Sequence, residues 1–158
     1  MSLIARLPAP LARIFLWLAF RLLRLWWLIR RPDQAGALVA IHNGGAVLLL
    51  RQSYQPGWTF PGGTIRAGET GTQAAVREIQ EEIGLIVTPA DLGAAAIITH
   101  NYLARRDTVQ LFSLHPTERP AVQIDEREII DGRWLTPGEA LRLPLVPHAR
   151  SYLQTLAI

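Results

Sequence analysis

One stretch of the chain, residues 63–85, restricts its fold and its chemistry more than any other. It reads GTIRAGETGTQAAVREIQEEIGL, and the acids Glu78, Glu81 and Glu82 are spaced at i, i+3 and i+4. That spacing puts three carboxylates on one face of a helix, where each like-charged pair costs roughly a few tenths of a kcal/mol. A hard divalent cation such as Mg²⁺, which takes oxygen ligands and shares them with substrate phosphates, would offset the repulsion. A solvated surface face is the competing interpretation.

The spacing of the other residues in the stretch favours the metal site. Gly63 is followed by five residues and Glu69, then by seven residues and the run REIQEEIGL at 77–85. The stretch resembles the Nudix box, GX5EX7REUXEEXGU with U aliphatic, at every defined position. The resemblance extends over roughly residues 35–158 and implies an α/β/α sandwich built round a mixed sheet. It also implies a MutT-like enzyme that uses Mg²⁺ or Mn²⁺ to hydrolyse nucleoside diphosphates linked to another moiety.

The same stretch has the local signals of a helix that docks on a sheet. Val76, Ile79 and Ile83 form an apolar stripe at helical spacing. Gly84 follows the last of them, at the position where a left-handed residue commonly ends a helix. The charged face of this helix then carries the three glutamates.

The resemblance assigns roles to the polar residues of the box. It implies four metal ligands, three of them carboxylates: Glu78, Glu81, Glu82 and the backbone carbonyl of Gly63. It implies that Glu69 and Arg77 fix the loop and hold those ligands in position. Arg77 also precedes Glu81 by four residues, a spacing at which an ordinary surface ion pair forms.

A further acid is expected in the segment 125–141. The family often has an acid six residues before a Trp in this region, which binds another metal ion or acts as the base. Here that acid is Glu128, six residues before Trp134, and Glu126 is the competing candidate. Acids that are simply solvated are common in loops, so that interpretation stays open for both. The expected catalytic base is a carboxylate, either Glu82 or Glu128.

Three residues outside the box are candidates for substrate binding. Trp58 belongs to a short predicted strand and would either pack in the core or offer an aromatic face to a base. Tyr102 lies seventeen residues after Leu85, a spacing similar to that in diadenosine polyphosphate hydrolases of the family. Arg51 would supply positive charge, because the chain has no Lys and Arg binds phosphate as a planar fork.

Composition sets the broad class of protein. With 158 residues, 49% of them hydrophobic, the chain has room for one domain with a proper core. The absence of Cys excludes disulfides, thiolate metal sites and a cysteine nucleophile. Residues 1–32 have a formal charge of +6 and the remainder −3, so the positive total of +3 belongs to the N-terminal arm. The folded body is therefore not expected to bind nucleic acid.

The arm is apolar, aromatic and basic, and it predicts a helix from Leu11 to Arg30 that stops before Pro32. Four of its arginines recur at spacings of 7, 11 and 7, which return to one helix face: Arg6, Arg13, Arg24 and Arg31. A helix that lies in a membrane interface is favoured, with Arg toward anionic headgroups and Trp, Phe and Leu in the acyl boundary. Packing on its own domain or on a partner subunit is the alternative.

Two other interpretations of the arm are disfavoured. A spanning helix needs about 20 mostly apolar residues, and the longest run here without Arg, residues 14–20, has seven. Each Arg at the centre of a membrane would cost ~2.5–3.5 kcal/mol on insertion scales. A cleaved signal peptide is disfavoured because Arg interrupts the apolar region and no small-residue cleavage site follows.

Elsewhere the sequence predicts short strands and two closing helices. Apolar runs at 36–41 and 46–52 flank Asn43-Gly44, which is a strong hairpin signal. Their continuous apolar character predicts strands that are covered on both faces. Further elements are expected in these ranges: strands at 94–100 and 108–115 with a loop at 101–107 between them, and helices at 137–141 and 146–155.

These observations predict a Nudix hydrolase domain at residues 33–158 behind an N-terminal helix at 1–32. We expect a cytoplasmic protein that contacts the inner face of a membrane peripherally through residues 1–32. A non-catalytic, membrane-tethered module that binds a nucleotide or diphosphate on the same scaffold is the alternative function, and a broken box would have favoured it. The substrate and the oligomeric state, a homodimer included, stay open.

Overall fold

The computed structural model describes residues 7–30, 33–103 and 105–157. It begins with a long helix, α1 (Ala9–Arg30), two residues before the predicted start. Pro10 is accommodated in its first turn, where no intrahelical donor is needed. Arg6 and Arg31, two members of the predicted arginine stripe, lie outside the described residues. No helix in the described ranges is long and apolar enough to cross a membrane.

Seven strands follow α1 and form a mixed sheet. Their bounds are β1 (Asp33–Asn43), β2 (Ala46–Gln52), β3 (Trp58–Thr59), β4 (Gly62–Thr64), β5 (Gly93–Tyr102), β6 (Arg105–Leu114) and β7 (Ile129–Leu135). The order is β3–β2–β1–β6–β5, with β4 also paired to β1 and β7 to β2. The β1–β6 pair is parallel, and the other pairs are antiparallel. Three helices complete the chain: α2 (Gly71–Ile83), α3 (Pro137–Ala140) and α4 (Pro147–Leu156).

The two faces of the sheet are both covered by helices. Alternate residues of β1 point to opposite sides, so Val39 packs in the cluster that contains Ile79 and Ile83 of α2. Leu38 packs in a second cluster with Leu153 of α4. Continuous apolar strands are typical of a sheet buried on both sides. The predicted α/β/α sandwich with a mixed sheet and an N-terminal helix is confirmed.

The predicted β1–β2 hairpin is present, but its turn lies one residue later than expected. Asn43 is the last residue of β1 and pairs with Ala46. The two turn residues are Gly44 and Gly45, with φ of 59° and 77°. A two-residue turn of this type needs positive φ at both positions, so the second glycine decides where it forms.

The expected loop at residues 101–107 is wrong. β5 continues through Tyr102 and β6 begins at Arg105, and these two residues are paired across the strands. The charged residues that suggested a loop belong to the start of β6. Arg105 and Asp107 form an ion pair at 2.7 Å between two positions on the same side of β6.

Candidate active site

Helix α2 is fixed in its rotation by caps at both ends and by one apolar face. Thr70 accepts a hydrogen bond from the Gln73 backbone N–H at 3.2 Å, and the Gln73 side chain accepts one from the Thr70 N–H at 2.8 Å. At the other end Gly84 adopts a left-handed conformation with φ of 67°. Ile79 is fully buried under the sheet. The adjacent face, which carries Glu78 and Glu82, is therefore directed at Gly62 and Gly63 of β4.

Glu82 is the most deeply buried of these glutamates, with 3% of its surface exposed. Its two carboxylate oxygens have different partners. The Gly62 backbone N–H donates to Oε2 at 2.8 Å, and Gln52 Nε2 donates to Oε1 at 3.2 Å. Burial raises the pKa of Glu82 well above its ordinary value, and the negative charges of Glu78 and Glu128 raise it further.

Glu78 lies directly against the backbone of Gly63. A Cβ on Gly63 would be 2.6 Å from Glu78 Oε1, so a larger residue there would require this carboxylate to move. Burial raises the pKa of Glu78, and the hydrogen bond from Arg77 opposes that rise. Two of the predicted metal-binding positions, the Glu78 carboxylate and the Gly63 backbone, are thus in contact.

Glu81 differs from the other two glutamates of the trio. Its side chain is 54% exposed, and its Oε2 atom lies 3.5 Å from Arg77 and 3.6 Å from Arg66. It therefore lies at the solvent edge of the site, where two guanidinium groups compensate its charge.

Arg77 joins the loop before α2 to the glutamates. Its Nε donates to Glu69 Oε1 at 2.8 Å and its second terminal nitrogen to Glu69 Oε2 at 2.9 Å, while the first terminal nitrogen contacts Glu78 at 2.5 Å. The hydrogen bonds from Arg77, with one from the Arg66 backbone, lower the pKa of Glu69 to about 2. This geometry agrees with the positioning role expected for Glu69 and Arg77. The sequence suggested only the weaker contact of Arg77 with Glu81.

Glu128 lies beside these glutamates, and Glu126 does not. Burial raises the pKa of Glu128, while a hydrogen bond from the Tyr54 hydroxyl opposes the rise and the charge of Glu78 adds to it. Glu126 is exposed. Its backbone carbonyl accepts a hydrogen bond from Arg13 of α1 at 2.8 Å.

Tyr54 is a residue of the site that the sequence did not reveal. Its ring packs against Phe20 of α1, with the centroids 5.4 Å apart. Burial raises the pKa of Tyr54 well above its ordinary value, and Glu128 and Glu82 raise it further. Tyr54 therefore stays protonated and able to donate. It lies in the turn-rich segment after β2, and no sequence pattern directs that hydroxyl at an acid 74 residues away.

The loop that carries Glu128 is attached to the end of α2 through the main chain. The Gln123 N–H donates to the Ile83 carbonyl at 2.8 Å, and the Asp125 N–H donates to the Glu82 carbonyl at 2.9 Å. These bonds use carbonyls that the helix itself leaves without partners. Glu128 is thereby held at a fixed distance from the helix that carries Glu78 and Glu82.

A cavity of about 280 Å³ lies next to the acids. Its walls include Gly62 and Gly63 at the glutamate end, and Phe20 and Trp27 of α1 on another side. Tyr102, a predicted substrate-binding residue, is in the wall and donates to the Pro56 carbonyl at 3.3 Å. The cavity is close to the lower limit of about 300 Å³ for small-molecule sites.

The other two predicted substrate-binding residues, Trp58 and Arg51, do not line that cavity. Trp58 is 4% exposed and belongs to the core cluster between the sheet and α4. Arg51 is exposed. Both border a separate groove of about 740 Å³. Their role in binding stays a prediction.

Within residues 7–30, 33–103 and 105–157, no three Asp, Glu or His side chains converge as they stand to hold a metal ion. Two of the expected ligand carboxylates are instead paired with arginines. Glu78 forms an ion pair with Arg77, and Glu81 forms ion pairs with both Arg77 and Arg66. The donor set nevertheless fits Mg²⁺ or Mn²⁺, because it consists of oxygen atoms only. The charge of Glu78 also raises the pKa of both Glu82 and Glu128, a repulsion that a cation would relieve.

Comparisons with known proteins identify the family and the fold. A family model described as NUDIX domain matches residues 31–156. The CTP pyrophosphohydrolase of Escherichia coli (strain K12) is 32% identical over 112 residues, covering 68% of this chain and 78% of that protein. The 8-oxo-dGTP diphosphatase of Proteus vulgaris is 42% identical over 55 residues, covering 35% of this chain and 47% of that protein.

A solved structure supplies the comparison of folds. It is the bifunctional NMN adenylyltransferase/ADP ribose pyrophosphatase of Francisella tularensis, complexed with AMP and a Mn ion. The TM-score is 0.71 over 88% of this chain and 47% of that chain. At 15% identity it shows the fold alone. The match of the family model over most of the chain, together with the named relatives, shows that this chain belongs to the Nudix family and is a pyrophosphohydrolase.

Proposed function

We propose that the chain cleaves the pyrophosphate bond of a nucleoside diphosphate linked to another moiety and that it needs Mg²⁺ or Mn²⁺ to do so. The observation that carries the proposal is that the buried Glu82 and the half-buried Glu78 and Glu128 lie near one another, next to the cavity wall formed by Gly62 and Gly63. When bound, the metal would neutralise the diphosphate and lower the pKa of a water molecule. Glu78, Glu81, Glu82 and the Gly63 carbonyl would hold it.

The protein groups around the acids support distinct roles. Arg77 and Glu69 hold the Glu78 side chain and the loop before α2 in place. Glu128 is the favoured proton acceptor. Both carboxylate oxygens of Glu82 already accept hydrogen bonds, from Gln52 and Gly62, whereas Glu128 accepts a hydrogen bond from Tyr54. A raised pKa brings a carboxylate nearer to the working pH, which improves it as a general base.

Nucleoside triphosphates are the first substrates to test, because the named relatives act on CTP and 8-oxo-dGTP. Dinucleoside polyphosphates, nucleotide sugars and ADP-ribose complete the panel. Release of pyrophosphate or phosphate would be measured for each compound with Mg²⁺, with Mn²⁺ and with a chelator. No turnover of any compound with either metal would contradict the proposal.

Glu82→Gln tests the site itself. We expect kcat to fall by about 10²-fold or more, since the change removes a charge that serves as ligand or base. Glu118→Gln is the matched control, because Glu118 is an exposed loop acid outside the site. Wild-type turnover by Glu82→Gln would contradict the assignment.

We also propose that α1 contacts the anionic inner face of a membrane. Six large apolar side chains recur every three or four residues on its outer side, and all are 48–82% exposed: Leu11, Phe15, Leu18, Leu22, Leu25 and Ile29. We call these six residues the outer stripe. Such a stripe beside arginines, in an arm without acids, fits a helix that lies in a membrane interface with anionic lipids.

A further inference from the structure

A groove of about 740 Å³ separates α1 from β2 and β7, and its charged residues are all arginines. Two come from α1, Arg21 and Arg24, and two from the sheet, Arg51 and Arg133. The described residues that line it include Trp17, Tyr54 and Trp58 but no Asp or Glu. We call it the arginine groove.

The positive charge of the arginine groove is only partly compensated, although Asp131 lies opposite Arg51 in the β2–β7 pair. Arg133 has an ion-pair partner, Asp131, at 2.7 Å. For Arg24 and Arg51, no carboxylate in the described part of the chain lies within 4.0 Å. Like charges gathered in this way repel each other, and an anion in the groove would relieve the repulsion.

Two of the guanidinium groups are oriented by aromatic rings. Arg21 lies over the Trp17 ring at 4.3 Å, and Arg133 lies over the Trp58 ring at 5.0 Å. Stacking fixes the plane of a guanidinium while its N–H edge stays available for the two parallel hydrogen bonds that a phosphate accepts. This arrangement gives the core residue Trp58 a positioning role at the groove.

The arginine groove adjoins the catalytic acids through two of the four residues that it shares with the smaller cavity. Gln52 and Tyr54 are in the walls of both the groove and the smaller cavity. Gln52 donates to Glu82 at 3.2 Å, and Tyr54 donates to Glu128. A substrate with its scissile diphosphate at these acids would therefore have the cavity on one side and the groove on the other.

We propose that the arginine groove binds phosphate groups. In the substrate, these would be the phosphates on the far side of the scissile bond from the part that occupies the cavity. The placement of the scissile bond rests on the proposed function, whereas binding of phosphate by the four arginines does not. The headgroups of anionic phospholipids present the same chemistry, and α1 would bring them to the same groove. The ligand class is a phosphate-bearing molecule in both cases.

The test measures binding without turnover. Inorganic tripolyphosphate is titrated into the full chain by calorimetry in the presence of a chelator, so that no metal bridges it to the glutamates. Arg24→Gln and Arg51→Gln are each expected to weaken binding about tenfold or more, the usual size for loss of a charge-assisted hydrogen bond. Arg30→Gln on α1 and Arg142→Gln on the domain are matched controls, because both are exposed and lie outside the groove.

A second titration uses vesicles of anionic phospholipid with the two groove variants and with Arg142→Gln as the control, because Arg30 belongs to the helix that is itself proposed to contact the membrane. Weaker tripolyphosphate binding, together with a raised KM and an unchanged kcat on the best nucleotide, assigns the groove to the substrate. Weaker binding to vesicles alone assigns it to lipid headgroups. Groove variants that bind both probes like the wild type would overturn the proposal, and so would controls that lose as much as the groove variants.

The outcomes separate this proposal from the proposed function. Glu82→Gln is expected to bind tripolyphosphate like the wild type while losing turnover. A chain that binds tripolyphosphate through the groove but hydrolyses no nucleotide would contradict only the enzymatic proposal. An active enzyme whose groove variants are indistinguishable from wild type would contradict only the groove.

Discussion

Glu126 and Glu128 lie two residues apart, and their surroundings differ enough to predict different effects of substitution. Glu128→Gln should lower kcat by about 10²-fold or more, because it removes the favoured proton acceptor. Glu126→Gln should leave kcat near the wild-type value, since the Glu126 side chain is exposed and the hydrogen bond from Arg13 goes to its backbone. Steady-state rates on the best substrate of the panel would decide. An equal loss in both variants would contradict the roles given to the two acids.

The positions of side chains along one helix could be predicted, and the contacts that join separate segments could not. Glu78 and Glu82 share a helix face, which helical geometry alone requires. The place of Glu128 in the site was predicted only from the family resemblance. The hydrogen bond from Tyr54 and the fork between Arg77 and Glu69 join separate segments, and their directions depend on how the whole chain packs.

His148 predicts how stability depends on pH. Burial lowers the pKa of this histidine. A hydrogen bond with the Asp107 carbonyl acts in the opposite direction but does not outweigh burial. A pKa below the unfolded value means that the unfolded chain binds the proton more readily. The contribution to stability is therefore complete above about pH 6.5 and decreases as the pH falls below that value.

Substitution of His148 tests this dependence. His148→Gln, whose amide can still donate to the Asp107 carbonyl, should have an unfolding free energy that changes less between pH 7 and pH 5 than that of the wild type. Urea unfolding at several pH values measures the difference. Identical slopes in the two proteins would show that His148 does not contribute.

At the scale of secondary structure, β4 depends on one glycine. Gly62 has φ of 137°, and a Cβ there would lie 2.1 Å from the Ala37 carbonyl oxygen. Its N–H is also the donor to Glu82. Strain of this kind costs about 1–3 kcal/mol per residue before any clash is counted.

Gly62→Ala should therefore lower the free energy of unfolding by at least about 2 kcal/mol and reduce kcat through displacement of Glu82. Gly138→Ala is the control, because it lies in helix α3 with nothing within 4 Å of a new Cβ. There alanine should be neutral or stabilising by up to about 1 kcal/mol. Chemical unfolding of both variants would show whether the loss of stability comes from the clash at Gly62 or from replacing any glycine by alanine.

Element types were more predictable than element ends. The hairpin of β1 and β2 followed from two apolar runs and a glycine turn. The β5–β6 hairpin was shortened in the prediction because Arg105, Arg106 and Asp107 have the composition of a loop. The Arg105–Asp107 ion pair places charge on a strand that packs beneath α1, and composition alone does not show such a pair.

At the scale of the whole molecule, α1 lies across the opening of the site. Arg13 reaches the loop of Glu128, Phe20 packs on Tyr54, and the Trp27 ring lies 4.0 Å from the Arg105 guanidinium. The sequence predicted the helix but not its position, because apolar side chains occur around most of its circumference. One side of α1 is therefore a wall of the cavity, and the outer stripe faces solvent.

The outer stripe predicts binding to anionic membranes. The double variant Leu22→Gln, Ile29→Gln should partition onto anionic liposomes at least about tenfold more weakly than the wild type, given about 1.5–3 kcal/mol for each buried side chain of this size. Ile97→Gln is the control, since Ile97 is 76% exposed on β5. Equal partitioning of the full chain and a chain without residues 1–32 would contradict the membrane contact. A concentration-dependent dimer that the double variant abolishes would instead assign the stripe to self-association.

The main-chain bonds between α2 and the loop of Glu128 affect how the protein can change over time. Because the Ile83 and Glu82 carbonyls hold the loop by its backbone, its path depends little on which side chains it carries. The exposed position Ala121, which precedes those bonds, can therefore vary while the acid keeps its place beside α2. Natural drift or laboratory evolution could alter the surface of the protein there with little loss of the hydrolytic reaction.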